Sequence, residues 1–169
     1  MAGSEADHVS GDHVTVAVER ADADVSIALQ EAFFADIAAR YRGWAPASSQ
    51  SVQPSDLAAP HGAWLVAYVD RRAVGCGGLQ RLDPHTAGIR RLFLDDSARG
   101  QGIGRRLLAE LESHARRLGN ERVRLTTGDG QAEALRMFQT ANHQEIPPFT
   151  DGVFTRHWME KSLDWRRQC

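Results

Sequence analysis

The stretch Arg99-Gly100-Gln101-Gly102-Ile103-Gly104-Arg105 is the most distinctive segment of the sequence, with three glycines in five residues. It follows a strand-like run, residues 87–94, and precedes a run of helical periodicity that starts at about Gly102. Glycine lets the backbone turn tightly, so that successive amide groups can converge on one point. The first N–H groups of a helix lack internal acceptors and carry the positive end of the helix dipole. The segment therefore predicts a phosphate or diphosphate site at a helix start.

The spacing of the glycines excludes two common nucleotide-binding motifs. A dinucleotide site needs G-x-G-x-x-G after the first strand of a parallel unit, whereas G-x-G-x-G here follows three predicted antiparallel strands. A Walker loop needs Gly-Lys-Ser/Thr, which does not follow. Arg105 and Arg106 would oppose the helix dipole, which is expected if an anion binds among them. The alternative is a glycine-rich turn without function.

Length and composition are those of a single globular domain. The 169 residues are 42% hydrophobic and 25% charged, with a formal net charge of −2. No apolar run approaches the ~18 residues that a membrane span needs, and no signal-peptide pattern is present. Two cysteines, Cys76 and Cys169, cannot build a disulfide framework and have no metal-ligand spacing. We therefore expect a cytoplasmic protein without a bound metal, a membrane partner or a nucleic-acid partner.

The order of predicted elements indicates an α/β fold. Residues 1–13 are polar and acidic and predict a disordered tail; the domain is expected over 14–163, and 164–169 form a C-terminal tail. Residues 42–60 predict a long loop or a broken short helix. Strands are predicted at 14–18, 63–69, 74–82, 87–94 and 123–127, around Ile146, and over Val153–Met159. The pattern predicts a mixed sheet with helices on both faces.

Three helices are predicted from apolar spacing. The first starts at Asp24 as its N-cap, and its apolar residues at helical spacing are Ile27, Ala28, Phe34, Ile37 and Ala38. The second has the apolar stripe Ile103, Leu107, Leu108, Leu111, Ala115 and Leu118 and ends at Gly119-Asn120. The third, residues 132–140, directs Ala134, Leu135 and Phe138 inward.

Several of these stretches, taken in order, resemble the GNAT family of N-acetyltransferases. Arg99-x-x-Gly102-x-Gly104 after Arg91–Leu94 is similar to that family's acyl-CoA motif. Six other stretches fall where the family has them: Val74–Leu79, Arg105–Leu108, Leu125–Gly128, Glu133–Leu135, Glu145–Phe149 and Met159–Lys161. The resemblance covers residues 14–163 and implies a mostly antiparallel sheet that splays between its fourth and fifth strands.

The resemblance also implies a function and a set of binding residues. The function is N-acetyl transfer from acetyl-CoA to a primary amine of a small molecule or peptide, by direct transfer. Backbone amides of Arg99, Gly100, Gln101, Gly102, Ile103, Gly104 and Arg105 would hold the diphosphate. Leu92, Phe93 and Leu94 would pair with the pantetheine arm, with a backbone amide near Leu92 polarising the thioester carbonyl. The acceptor, the acyl-chain length and homodimer formation are left open.

The sequence departs from the family at both proton-transfer positions. Gly88 stands where the family often has a glutamate base, and Phe138 where it often has a tyrosine acid. One hypothesis is therefore an enzyme for weakly basic amines, or one that recruits Asp83, His85 or His143 as its base. The alternative is an acyl-CoA-binding protein without turnover. Tyr41, Trp44 and Trp64 are candidates for an acceptor pocket, with core packing as the alternative, and Cys76 is expected to be a core residue.

Overall fold

The computed structural model describes residues 13–45 and 52–164. The predicted tails therefore lie almost wholly outside the described residues, as does part of the 42–60 segment. The strands are β1 (Val14–Val18), β2 (Ala63–Val69), β3 (Arg72–Asp83), β4 (Thr86–Leu94), β5 (Arg122–Thr127), β6 (Gln144–Glu145) and β7 (His157–Ser162). The helices are α1 (Asp24–Arg40), α2 (Ile103–Arg117) and α3 (Ala132–Thr140), with short 3-10 turns at Pro54–Leu57 and Asp96–Ala98.

The seven strands form one sheet in the order β1-β2-β3-β4-β5-β7-β6. Every neighbouring pair is antiparallel except β4 and β5, which the crossover through α2 makes parallel. These two strands pair over only three positions, from Thr86 opposite Arg122 to Gly88 opposite Arg124. Beyond Gly88 the two strands separate. The mixed sheet splayed between its fourth and fifth strands is thus confirmed.

Helices cover both faces of this sheet. Leu65 and Ala67 of β2 belong to the core cluster that includes α2 and Phe138 of α3. The intervening Trp64 and Val66 belong to a second cluster with Leu29 of α1. Because alternate residues of a strand point to opposite faces, α1 lies on one face and α2 and α3 lie on the other. None of the described helices is both long and apolar enough to span a bilayer.

The predicted apolar stripe of α2 is confirmed. Leu107, Leu108 and Leu111 are each at most 1% exposed, and Ile103 and Ala115 are also buried. Burial of a leucine side chain stabilises a fold by about 1.5–3 kcal/mol. Gly119, which follows the C-cap residue Leu118, has φ +91°, a conformation that glycine adopts without steric cost. Packing along this stripe fixes the start of α2 against the end of β4.

The predicted helix α1 is confirmed at Asp24–Arg40, but its apolar spacing does not mark its buried face. Ile27 is 43% exposed, and Ala28 and Ala38 are exposed as well. The buried positions of the helix are Ser26, Leu29, Gln30 and Ile37. Gln30 tolerates burial because its amide nitrogen donates to two backbone carbonyls and its oxygen accepts from Arg91. Asp24 is also not the N-cap; Ala23 holds that position without a side-chain hydrogen bond.

The predicted last strands are partly wrong. Residues 153–156 are not part of a strand, and Val153 is 81% exposed. β7 begins at His157, and Ile146 makes a single backbone bond to Trp158 at 2.8 Å. Proline has no N–H to donate to a ladder, so the Pro147-Pro148 pair ends β6 after two residues. The resulting loop, residues 147–156, forms one wall of the cleft described next.

Candidate functional site

A cleft of about 790 Å³ opens where β4 and β5 separate. Its long wall is β4 from Gly88 to Leu94, and facing it are residues 124–128 of β5 and the turn after it. The C-terminal half of α1, the start of α2, part of α3 and loop residues 149–155 close the remaining sides. The cleft therefore exists because the parallel pair stops after Gly88, and its shape is that of an extended slot along a strand.

The β4 wall contains a β-bulge. In the register with β3, Cys76 faces Phe93 and Gly78 faces Arg90, so that Gly77 lies opposite both Arg91 and Leu92. Arg91 has φ +52°, outside the range of a regular strand. A bulge leaves one residue of its strand outside the ladder. The β4 wall thus has a backbone segment near Leu92 at which a ligand carbonyl can be received.

The glycine segment lies at the end of the cleft, between β4 and α2. Gly100 and Gly102 have φ of +76° and +78°, and Gly102 is the N-cap of α2. A Cβ placed on either glycine would have no atom within 4 Å, so the space in front of their backbones is open. The first-turn amides of α2 have no acceptor within the helix. This cradle fits a diphosphate group by its shape and by its donors.

The arginine side chains around this cradle have different surroundings. Arg99 pairs with Asp96 at 2.7 Å and with Asp36 of α1 at 3.7 Å, and it donates to the carbonyl of Leu94. Its guanidinium therefore ties the segment to α1. Arg106 turns away and donates to the carbonyl of Val14 at 2.7 Å. Arg105 is exposed and lines the cleft, so it is positioned to meet an anion there.

The structure places most of the sequence-predicted binding residues around the cleft. The residues that line it are Leu92, Phe93, Leu94, Arg99, Gly100, Gly102, Gly104 and Arg105. Gln101 directs its side chain to the carbonyl of Ser97, and Ile103 is buried in the core. For these two residues the expected contact is the backbone amide, which the side-chain direction does not alter.

Gly88 and Phe138 both lie at the cleft. A Cβ on Gly88 would approach the side chain of Leu82 to 3.1 Å, so Leu82 covers the position where the family often carries its base. Phe138 is 4% exposed and packs against the ring of His143, with centroids 5.8 Å apart. Neither position supplies a titratable group.

None of the three proposed replacement bases lines the cleft. The carboxylate of Asp83 accepts from the backbone N–H of His85, which is the main reason that its pKa lies below its usual value. His85 is exposed near Glu121 at the opposite end of the strands. His143 is 3% exposed and is hydrogen-bonded to Glu112 at 2.8 Å in the core.

The buried thiol of Cys76 confirms the expectation of a core residue. It is 0% exposed, and burial raises its pKa to about 12. A thiol that stays protonated at neutral pH is a poor nucleophile. Trp64 is likewise fully buried in the core and does not reach the cleft. Tyr41 and Trp44 do line it, as do Phe34, which stacks on Trp44 with centroids 5.9 Å apart, and Phe154.

Several charged residues at the cleft were not assigned to it by sequence reasoning. They include Arg90 on β4, Glu133 at the start of α3 and Asp151 in the loop before β7. Arg90 alternates with Gly88 on the strand, and that spacing could have indicated a shared face. Asp151 has no such signal, because only the tertiary fold returns its loop to the β4 edge.

Comparison with known proteins gives the same assignment. The family model described as "Acetyltransferase (GNAT) family" matches residues 29–142. An IAA acetyltransferase of Azospirillum brasilense is 35% identical over 94 residues, which are 55% of this chain and 61% of that protein. The alignment therefore spans less than two thirds of that relative.

Solved structures share the fold. A GNAT acetyltransferase of Staphylococcus aureus has a TM-score of 0.75 at 17% identity, over 90% of this chain and all of that one. The protein yncA of Salmonella typhimurium, solved with its cofactor acetyl-CoA, has a TM-score of 0.63 at 16% identity, over 90% of this chain and 95% of that one. The family match over residues 29–142 and the shared fold agree: the chain belongs to the GNAT acetyltransferase family.

Proposed function

We propose that residues 14–163 form an acetyl-CoA-dependent N-acetyltransferase domain that acts on a primary amine. The observation that carries this proposal is the cleft between β4 and β5, with an open glycine cradle at one end and a bulged strand edge along its side. Acetyl-CoA would supply an activated acetyl thioester when bound. Its presence in yncA, which shares the fold, supports this choice of donor.

Each part of the cleft has a role in this proposal. The backbone amides of Arg99 to Arg105 hold the diphosphate, and Arg105 adds a positive charge beside it. The edge of Leu92, Phe93 and Leu94 pairs with the amide groups of the pantetheine arm as an added strand would. The backbone amide near Leu92 donates to the thioester carbonyl, and this stabilises the oxyanion that develops during attack.

Direct transfer requires that the amine attack without a covalent enzyme intermediate. Cys76 does not serve as a nucleophile, because its thiol is buried and its pKa is raised to about 12. The chain therefore acts by holding both reactants in line. A thiolate is a tolerable leaving group that solvent can protonate, so Phe138 in place of an acid costs little.

The absence of a base at Gly88 limits the acceptor. An amine of pKa ~10.4 costs about 4–5 kcal/mol to deprotonate at pH 7, whereas an α-amine of pKa ~8 costs about 1–1.5 kcal/mol. We therefore propose a weakly basic amine as the acceptor. Without a base, strongly basic alkyl amines lose most of their reactivity at neutral pH.

The experiment is turnover measured as release of the CoA thiol, with amines of graded pKa at saturating acetyl-CoA. We expect rates at pH 7 to fall as amine pKa rises. The double variant Gly88→Glu/Leu82→Ala introduces a carboxylate and the space for it, and it should raise the rate on basic amines; Leu82→Ala alone is the control. Equal rates across the panel in the native protein would contradict the proposal.

A second candidate function is acyl-CoA binding without turnover. The lack of a titratable side chain at Gly88 and at Phe138, both of which line the cleft, favours it. The same assay distinguishes the two. Acetyl-CoA binding by calorimetry, together with no amine-dependent release of thiol, would support the binding protein. If acetyl-CoA does not bind at millimolar concentration, both candidates are wrong.

A further inference from the structure

Arg90 is a partly buried cation at the cleft without a partner in the described part of the chain. No hydrogen bond or ion pair joins it to residues 13–45 or 52–164, and burial lowers the pKa of its guanidinium. A guanidinium has five donors and no acceptor, and removal from water is costly when those donors stay unpaired. Arg90 thus has unused binding capacity directed to the cleft.

The neighbouring arginines make the contrast clear. Arg91 donates to Gln30 of α1 at 2.5 Å and lies 4.9 Å over the ring of Phe34. Arg124 on β5 pairs with Glu160 at 2.6 Å and lies 5.3 Å over a phenylalanine ring of the 147–156 loop. Both are thus held by the protein itself. Arg90 lies between them on the same face of the sheet.

That shared face follows from the sheet register. Arg90 is opposite Gly78, which faces Trp64 on the α1 side of the sheet. The bulge then turns Arg91 to the same side, where it reaches Gln30. Arg90 lies before the bulge and the glycine cradle lies beyond the end of β4, so Arg90 is in the half of the cleft remote from the diphosphate.

We infer that Arg90 binds a carboxylate of the acceptor, and that the acceptor is an amino acid. This inference rests on the proposed function and names its substrate class. The planar fork of arginine matches a carboxylate with two parallel hydrogen bonds. Arg90 is one residue from the bulge where the thioester carbonyl is held, and residues of a strand are about 3.3 Å apart. The amine that attacks this carbonyl therefore lies close to the carboxylate on Arg90, as the two groups do in an α-amino acid.

The charges around this half of the cleft favour the same substrate. Arg90 and Arg91 repel an ammonium ion and favour the neutral amine, which offsets in part the missing base. Among the acids at the cleft, Asp36 is paired with Arg40 and Arg99, whereas Glu133 and Asp151 are exposed. An amino acid meets these charges best, because its carboxylate pairs with Arg90 while its amine reacts in the neutral form.

Turnover of matched acceptors tests the inference. Glycine, L-leucine, L-methionine and L-phenylalanine are each compared with their own amides. The amine of an amide is the less basic of each pair, so amine pKa alone would favour the amide. We expect kcat/KM to favour at least one acid over its amide about 10- to 150-fold, because the amide oxygen can accept only one of the two hydrogen bonds. Arg90→Gln should abolish the preference. Arg122→Gln, which removes the same charge outside the cleft, should retain it.

Binding separates this inference from the proposed function. The N-acetyl amino acids and their amides are titrated into the protein–CoA complex by calorimetry, a measurement that needs no turnover. Acid-selective binding lost in Arg90→Gln but without thiol release would uphold the carboxylate site and contradict the enzyme. Equal binding of acid and amide, a preference that Arg90→Gln retains, or tighter binding of an aminoalkylphosphonate would overturn the carboxylate assignment.

Discussion

Gly102→Ala should weaken CoA binding as well as destabilise the fold. Gly102 has φ +78°, and a Cβ there has no protein atom within 4 Å. The left-handed conformation costs a non-glycine residue about 1–2 kcal/mol, and a domain of this size loses about 2–4 °C of Tm per kcal/mol. The added methyl also extends into the open space over the amides of α2. Loss of one hydrogen bond to a charged group costs about 1.5–3 kcal/mol, or roughly 10- to 150-fold in Kd.

Gly119→Ala is the matched control for this prediction. Gly119 has φ +91°, and a Cβ there also has no atom within 4 Å, but it lies at the opposite end of α2. Both variants should therefore lose about the same Tm in a thermal melt. Only Gly102→Ala should raise the Kd for CoA in calorimetry by 10-fold or more. An equal change in Kd for the two variants, or an unchanged Kd for Gly102→Ala, would refute the assignment of the cradle.

Three further predictions concern stability and reactivity. Burial acts to raise the pKa of Glu112, but hydrogen bonds from His143 and Lys161 outweigh it and lower that pKa. A carboxyl group whose pKa is lowered in the folded state stabilises the fold above its unfolded pKa, near 4.5, and this stabilisation is lost as pH falls through the folded pKa. Glu112→Gln should therefore lower the free energy of unfolding in urea by about 3 kcal/mol at pH 7 and by less at pH 3.5. An equal loss at the two pH values would contradict this. Cys76 should react with a thiol reagent only after denaturation, in a variant whose other cysteine is serine; labelling of the native protein would count against its burial. Leu111→Ala should cost about 2–5 kcal/mol, because Leu111 is 0% exposed, and a loss under 1 kcal/mol would show that the core collapses around the gap.

Local patterns in the sequence predicted the parts of the fold that depend on neighbouring residues. The apolar stripe of α2 has helical spacing, and the glycines of the cradle serve a backbone that no other residue adopts as easily. Strand β2 was predicted at its observed bounds, Ala63–Val69, because its residues are apolar and bounded by turns. These features are set by residues within a few positions of one another.

The face of α1 and the acceptor half of the cleft depended on contacts between distant residues. Gln30 is buried in place of Ile27 because its partner Arg91, 61 residues away, satisfies its amide oxygen. The bulge that brings Arg91 there is a mismatch between two strands, which neither strand shows alone. Arg90 is left without a partner among the described residues for the same reason. A polar side chain can be buried only where the assembled fold supplies its hydrogen bonds, so sequence periodicity determined the helices and strands, whereas long-range hydrogen bonding decided which polar groups the cleft presents.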